Sequence, residues 1–298
     1  MADKRRLKIK KSAFVRHYLR LISLGALCLL CNFNSFAQNL DSLADAVRSG
    51  TEEVKRDALL QIRNLKSADA SRLAVPALGD NSEIVRATAA FSVIFLPKEE
   101  AAQILLPLLQ DKSALVRRET AYALGKVADK ASTNALLQIL QKDKIPEVRN
   151  ASIVALGETG DASAVDALTQ ILRQKPSEDA EFSRRAAARS IGQIAQIIQT
   201  SEAEVVTPAG FSSAQNEITK LKRINLTETF PVFRAAVAAL IQALQNRKES
   251  PDAKREAAFA LGAIGDKAAI PVLRASSNNA DYYLAEISRQ ALSKIQNR

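Results

Sequence analysis

The chain has 298 residues, with 42 Lys and Arg against 32 Asp and Glu, a net charge of +10 and a single histidine. Hydrophobic residues make up 47% and aromatics only 5%, a composition that suits closely packed alanine- and leucine-rich helices rather than a β-sandwich or barrel. The excess positive charge suggests nucleic-acid binding, but its distribution along the chain excludes that reading.

Eight basic residues (Lys4, Arg5, Arg6, Lys8, Lys10, Lys11, Arg16 and Arg20) stand against one acid, Asp3, in Met1 to Arg20. An apolar run from Leu21 to Leu30 follows, then Ser35-Phe36-Ala37, a small-x-small cleavage pattern. A basic n-region, a short h-region and such a site predict a signal peptide over 1–37, cleaved after Ala37, and an exported protein, periplasmic or extracellular. A spanning helix needs roughly 20 apolar residues, so the alternative, a membrane adaptor anchored by residues 19–31, is the weaker reading. Loss of 1–37 removes eight of the 42 basic and one of the 32 acidic residues, leaving +3. Cys28, Cys31 and His17 leave with it, so residues 38–298 carry no cysteine and no histidine. That removes disulfides, thiol nucleophiles, imidazole bases and the usual transition-metal ligands, and no cofactor is expected. Neither cysteine follows a small residue, which argues against a lipid anchor.

Residues 39–49 predict a short capping helix with Leu40, Leu43, Ala44 and Val47 on one stripe. Beyond it a signature recurs: Ile84-Val85-Arg86, Leu115-Val116-Arg117 and Glu147-Val148-Arg149, with arginines 31 and 32 residues apart. Each is followed by an alanine-rich apolar stretch such as Ala121-Tyr122-Ala123-Leu124-Gly125. A period in this range means stacked repeats, and it replaces the two-domain division that length alone suggests. Repeats are expected at about 50–79, 80–110, 111–142 and 143–174, each a helix A followed by a helix B. In the fourth, helix A starts at Pro146, buries Val148, Ala151, Ala155 and Leu156, and breaks at Gly157 and Gly160. Asp161 then caps helix B, whose stripe is Val165, Leu168, Ile171 and Leu172.

In the fifth repeat the two halves are separated. Helix A is expected over Phe182 to Gly192 and helix B only at Val237 to Leu244, with an insert of about 199–228 between them. Its Pro208, Gly210 and absent periodicity predict a long connection, either a docking segment or a tolerated loop. Phe211, with Lys220, Lys222 and Arg223 nearby, is the candidate contact there. A sixth repeat over 246–278 and a last helix A over Tyr282 to Gln296 complete the array.

The run Val-Arg-x-x-Ala-x-x-Ala-Leu-Gly-x-x-Gly-Asp, clearest in Val148 to Leu168 and Lys254 to Leu273, resembles the HEAT-like repeat named after phycobilisome lyases. The resemblance covers residues 50–298 apart from the insert, with departures at Ile94 and Arg63 where glycine is expected. It implies an all-α, right-handed α-solenoid of about six helix pairs and, for most of the family, a protein-binding scaffold. A minority of the family acts on bilins carried by a partner protein, which gives the alternative of a lyase-like or chaperone-like auxiliary.

Asp80, Asp111 and Asp143 precede Arg86, Arg117 and Arg149 by six residues. Two signs recurring together predict a structural ladder in which Asp caps helix A and Arg bonds a neighbouring repeat, rather than an anion-binding row. Only Glu178 and Asp179 serve the fifth repeat, so the ladder is expected to loosen beside the insert. Gln138, Lys142, Gln170, Arg173, Gln242 and Arg247 recur on helix B, the expected lining of the concave face, and are the candidate partner contacts. The sequence thus predicts a monomeric, non-enzymatic scaffold for a protein partner, with no nucleic acid and no membrane insertion after cleavage.

Overall fold

The computed structural model describes residues 39–200 and 224–297. A first helix, α1, covers residues 39–49 and buries Leu43 and Val47. Seven longer helices form the A row: α2 (Glu52–Asn64), α4 (Glu83–Ser92), α6 (Ala114–Val127), α8 (Pro146–Thr159), α10 (Glu178–Thr200), α13 (Pro251–Ile264) and α15 (Tyr282–Gln296). Six helices, all but α12 of ten residues or fewer, alternate with them as the B row: α3 (Ala68–Arg72), α5 (Lys98–Leu105), α7 (Thr133–Lys142), α9 (Val165–Arg173), α12 (Val232–Gln245) and α14 (Ile270–Ser276). A 3₁₀ turn extends α3 at Val75–Gly79 and α5 at Leu106–Gln110. Among the described residues this is an α-solenoid of six A–B pairs closed by a final A helix, in accord with the sequence.

One apolar core runs the length of the stack, from Leu43 through Leu59, Leu124, Leu156, Ile191 and Leu261 to Ile295. Most helices have only 7 to 15 residues, too short to be stable alone in water, so burial between neighbours supplies their stability. Val148, Ala151, Ala155 and Leu156 are fully buried, as their spacing predicts.

The turns show how sequence sets the bends. Asp129, Asp161 and Asp266 accept from the N–H two residues on, capping a 3₁₀ turn that leads into α7, α9 and α14. Gly160, at φ 66°, ends α8 in the left-handed region that glycine tolerates best, and Ala128 at φ 55° does the same for α6. Gly157 does not break its helix as expected. It lies inside α8, and a Cβ there would meet the Ser190 side chain of α10 at 2.6–2.7 Å. Its work is close approach of A helices, and Gly192 and Gly262 occupy the same place against Ala260 and Ala291. Ser92 and Ser190, both buried, add hydroxyl bonds across this row to the carbonyls of Leu59 (2.8 Å) and Ile153 (2.9 Å).

The two rows are unequally spaced. Every A helix packs directly on the next, whereas among B helices only α9 and α12 pack extensively on one another. Small residues at the A–A contacts, Gly125, Gly157, Gly192 and Gly262 among them, permit that close approach.

The described structure also narrows the insert. α10 continues to Thr200, and the chain is already packed at Ile224, whose carbonyl accepts from Gln199 Nε2 at 2.9 Å. A short helix, α11 (Leu226–Thr229), buries Leu226, and Arg234 Nε donates to the Thr227 carbonyl at 2.9 Å. Phe233 anchors the start of α12 in the core, edge-on to Phe230. Phe211, Lys220, Lys222 and Arg223 lie outside the described residues, as does the expected signal peptide.

Candidate functional site

Two arrangements recur along the solenoid, a charged ladder at the turns from helix B into helix A and a stripe of side chains on the A row. In the ladder, Arg86 donates Nε and Nη2 to both oxygens of Asp111, at 2.8 and 2.9 Å, across the boundary to the next repeat. Its Nη1 donates to the carbonyls of Asp80 (2.8 Å) and Asn81 (3.0 Å) in its own turn. Arg117 repeats the pattern on Asp143 at 2.7 and 3.0 Å and on the Asp111 and Lys112 carbonyls. A guanidinium fork matched to a carboxylate in this way fixes both distance and orientation between repeats.

The aspartates differ slightly from the expected role. Asp80 and Asp111 end the preceding helix B run and accept from the N–H of Ser82 and Ser113 at 2.8 Å. They brace the turn just ahead of the helix, whose own N-cap for α4 is Ser82. The Lys55 ammonium on Asp80, and the guanidiniums of Arg86 on Asp111 and Arg117 on Asp143, hold these carboxyls below the usual range, against the opposing effect of burial. The same contacts push Arg86 and Arg117 upward.

Three rungs were not apparent in the sequence pattern. Lys55 bonds Asp80 at 2.6 Å, Arg255 bonds Asp281 at 2.8 Å, and Arg184 forks onto Glu249. The last is the most enclosed, with side chains 3% and 1% exposed. Arg184 precedes Gly192 by eight residues just as Arg149 precedes Gly157, which is a readable signal; Glu249, 65 residues away, gives none. This pair carries the ladder across the insert. The ladder loosens where it enters the fifth repeat, as the lack of an aspartate there predicts: Arg149 bonds the carbonyls of Asp143 (2.9 Å) and Lys144 (3.1 Å) and, among the described residues, no carboxylate.

The B-row candidates Gln138, Lys142, Gln170, Arg173, Gln242 and Arg247 are all exposed; Lys142 ends α7, Arg173 ends α9, and Arg247 lies in the turn after α12. On the A row, Phe91, Tyr122, Val154 and Arg189 stand at matching repeat positions and are only half-exposed. Ile84, Leu115 and Phe182 form a second such row two helical turns earlier. Tyr122 and Val154 rest partly against the apolar core and keep their remaining surface open to solvent. Burial pushes the Tyr122 hydroxyl upward. Ion pairs link successive A helices here, Lys126 to Glu158 and Arg185 to Asp252 (3.3 Å). Glu256, beside Arg189 at 3.8 Å, has its carboxyl raised by burial, with Arg189 opposing.

A cavity of about 460 Å³ at the ends of α6, α8 and α10 is lined by Lys98, Lys130, Glu158, Asp161, Ile197 and Phe230. Glu158 pairs with Lys126 and Asp161 caps Ser163, so both carboxylates have structural partners. Among the described residues no group of His, Cys, Asp and Glu is placed to hold a metal ion, and no helix is long and apolar enough to cross a membrane.

Comparison with solved structures gives the fold. An engineered protein aligns over 86% of this chain and 68% of its own, at 19% identity and a TM-score of 0.53. The complex of CpcE and CpcF of phycocyanin lyase from Nostoc sp. PCC7120 aligns over 86% and 88%, at 21% identity and a TM-score of 0.47. Human deoxyhypusine hydroxylase aligns over 90% and 100%, at 20% identity and a TM-score of 0.39. No functionally curated protein matches the sequence. The profile of the HEAT repeats family matches residues 40–121, 104–192 and 221–296, and the chain belongs to that family.

Proposed function

We propose that this protein is an exported, non-enzymatic HEAT-repeat scaffold that binds a protein partner along the exposed face of its A helices. The observation carrying the reading is the row of Phe91, Tyr122 and Val154, half-exposed at one-repeat spacing on the closely packed A helices. Aromatic and aliphatic side chains beside arginines such as Arg185 and Arg189 are the composition of protein-binding surfaces. Export after cleavage at Ala37 belongs to the same proposal and rests on the basic-apolar-small pattern of residues 1–37.

Affinity capture from the native host with wild type and two face variants tests the reading. Tyr122→Glu with Val154→Glu alters the A face; Lys142→Glu, Arg173→Glu and Arg247→Glu together alter the B face. A partner lost with the first variant and kept with the second supports the A-face reading. Loss with the B-face variant alone moves the site to helix B, and retention in both rejects the two surfaces. N-terminal sequencing of the native protein tests export separately: a product beginning at Met1 in the cytosol rejects it.

A further inference from the structure

At one boundary the ladder holds only half its bonds. Arg86 and Arg117 use Nη1 on their own turn and reserve Nε and Nη2 for the aspartate of the next repeat. Arg149 makes the first set, at 2.9 and 3.1 Å, and its Nε and Nη2 have no acceptor among the described residues. The reason lies in the sequence. The residue that ends each helix B run is Asp80, Asp111 and Asp143 in the first three repeats but Gln174 in the fourth, neutral and exposed. The spacing from Arg149 to Arg184 is 35 residues instead of 31 or 32, which carries the next acid, Glu178, into the first position of α10.

Neither nitrogen is among the buried side-chain atoms without a partner, so both reach solvent. Lys144 and Lys175 stand exposed in the two adjoining turns, whose acids are Asp143, already bonded to Arg117, and the exposed Glu147, Glu178 and Asp179. The adjacent Arg117 and Arg184 are already engaged by Asp143 and Glu249. We propose that the open edge of Arg149 is an anion-recognition site, completed by an aspartate or glutamate side chain of a partner protein. The neighbouring rungs define the ligand: a planar pair of oxygens accepting from Nε and Nη2 together, a fit that a carboxylate makes bidentately. The site lies at the turns between the rows, apart from the apolar A face, and stands whether or not a partner occupies that face. An acidic side chain docked there would also lock the fourth and fifth repeats at the spacing the other rungs impose.

The test is thermal unfolding of wild type, Arg149→Gln and Gln174→Asp, each with hexaglutamate, inorganic phosphate or sodium chloride at equal ionic strength. Hexaglutamate is expected to raise the wild-type Tm above the chloride control, because a ligand that binds only the folded state stabilises it. The shift should vanish in Arg149→Gln, which lacks the fork, and in Gln174→Asp, which fills the rung from within. Gln174→Asp should also melt above wild type without ligand. Equal shifts in all three proteins, or none in the wild type, overturn the proposal. A shift with phosphate but not with hexaglutamate assigns the site to phosphate groups and overturns the carboxylate assignment.

Discussion

Replacing Glu249 by alanine should be among the most damaging single changes in the ladder, and the geometry gives the size of the effect. Arg184 and Glu249 are 3% and 1% exposed, so no water replaces the lost carboxylate. Arg184 Nη1 keeps its bonds to the carbonyls of Leu172 and Gln174, while Nε and Nη2 are left pointing at a small void. Removing one member of a buried pair typically costs about 3–5 kcal/mol, a large share of a domain's stability of roughly 5–15 kcal/mol. Asp111→Ala strips Arg86 of the same two bonds, but at 13% and 7% exposure water reaches the site more readily and the loss should be about 1–3 kcal/mol. Urea denaturation followed by circular dichroism measures both. Because the stack is held by nearest-neighbour contacts, Glu249→Ala should also separate a transition of the last repeats from that of the first. The double variant Arg184→Met, Glu249→Leu fills the space without charge and should recover most of the loss. The reasoning fails if Glu249→Ala costs less than about 1 kcal/mol, or if the double variant is as unstable as the single one.

Two further outcomes follow from named contacts. Gly157→Val places a Cβ 2.6–2.7 Å from Ser190 and should cost at least about 1–3 kcal/mol by forcing α8 from α10, whereas Gly79→Ala, with nothing within 4 Å, should be near neutral; equal melting temperatures for the two variants would refute the close-packing role. Asp80, Asp111 and Asp143 have carboxyls lowered by their cationic partners, so the unfolded chain takes up protons first as the pH drops. The ladder's contribution is therefore complete above the ordinary carboxylate value of about 4 and is lost as the pH falls through the lower folded-state values. Asp111→Asn should lower the urea midpoint at pH 7 and make the fall below pH 4 shallower, and an unchanged acid slope would argue that the rung contributes nothing.

Local rules determined a great deal about this protein. The recurrence of Val-Arg, the alanine-rich stretch and the closing Gly-Asp specified helix pairs, their register and their number, because each depends on residues within one turn of helix. The buried stripe of α8 and the aspartate caps of α7, α9 and α14 needed nothing more. What tertiary structure alone decided are relations between repeats. Gly157 reads as a helix breaker until Ser190 is seen against it, because a break and a close approach call for the same residue. Glu249 is invisible as the partner of Arg184 because 65 residues separate them and only the stacking joins them. The row of Phe91, Tyr122 and Val154 likewise appears only once the A helices are stacked, beside the exposed helix B row of Gln138, Gln170 and Gln242. The half-made rung at Arg149 needed both levels: Gln174 in place of aspartate is legible in the sequence, but its consequence appears only beside the completed rungs.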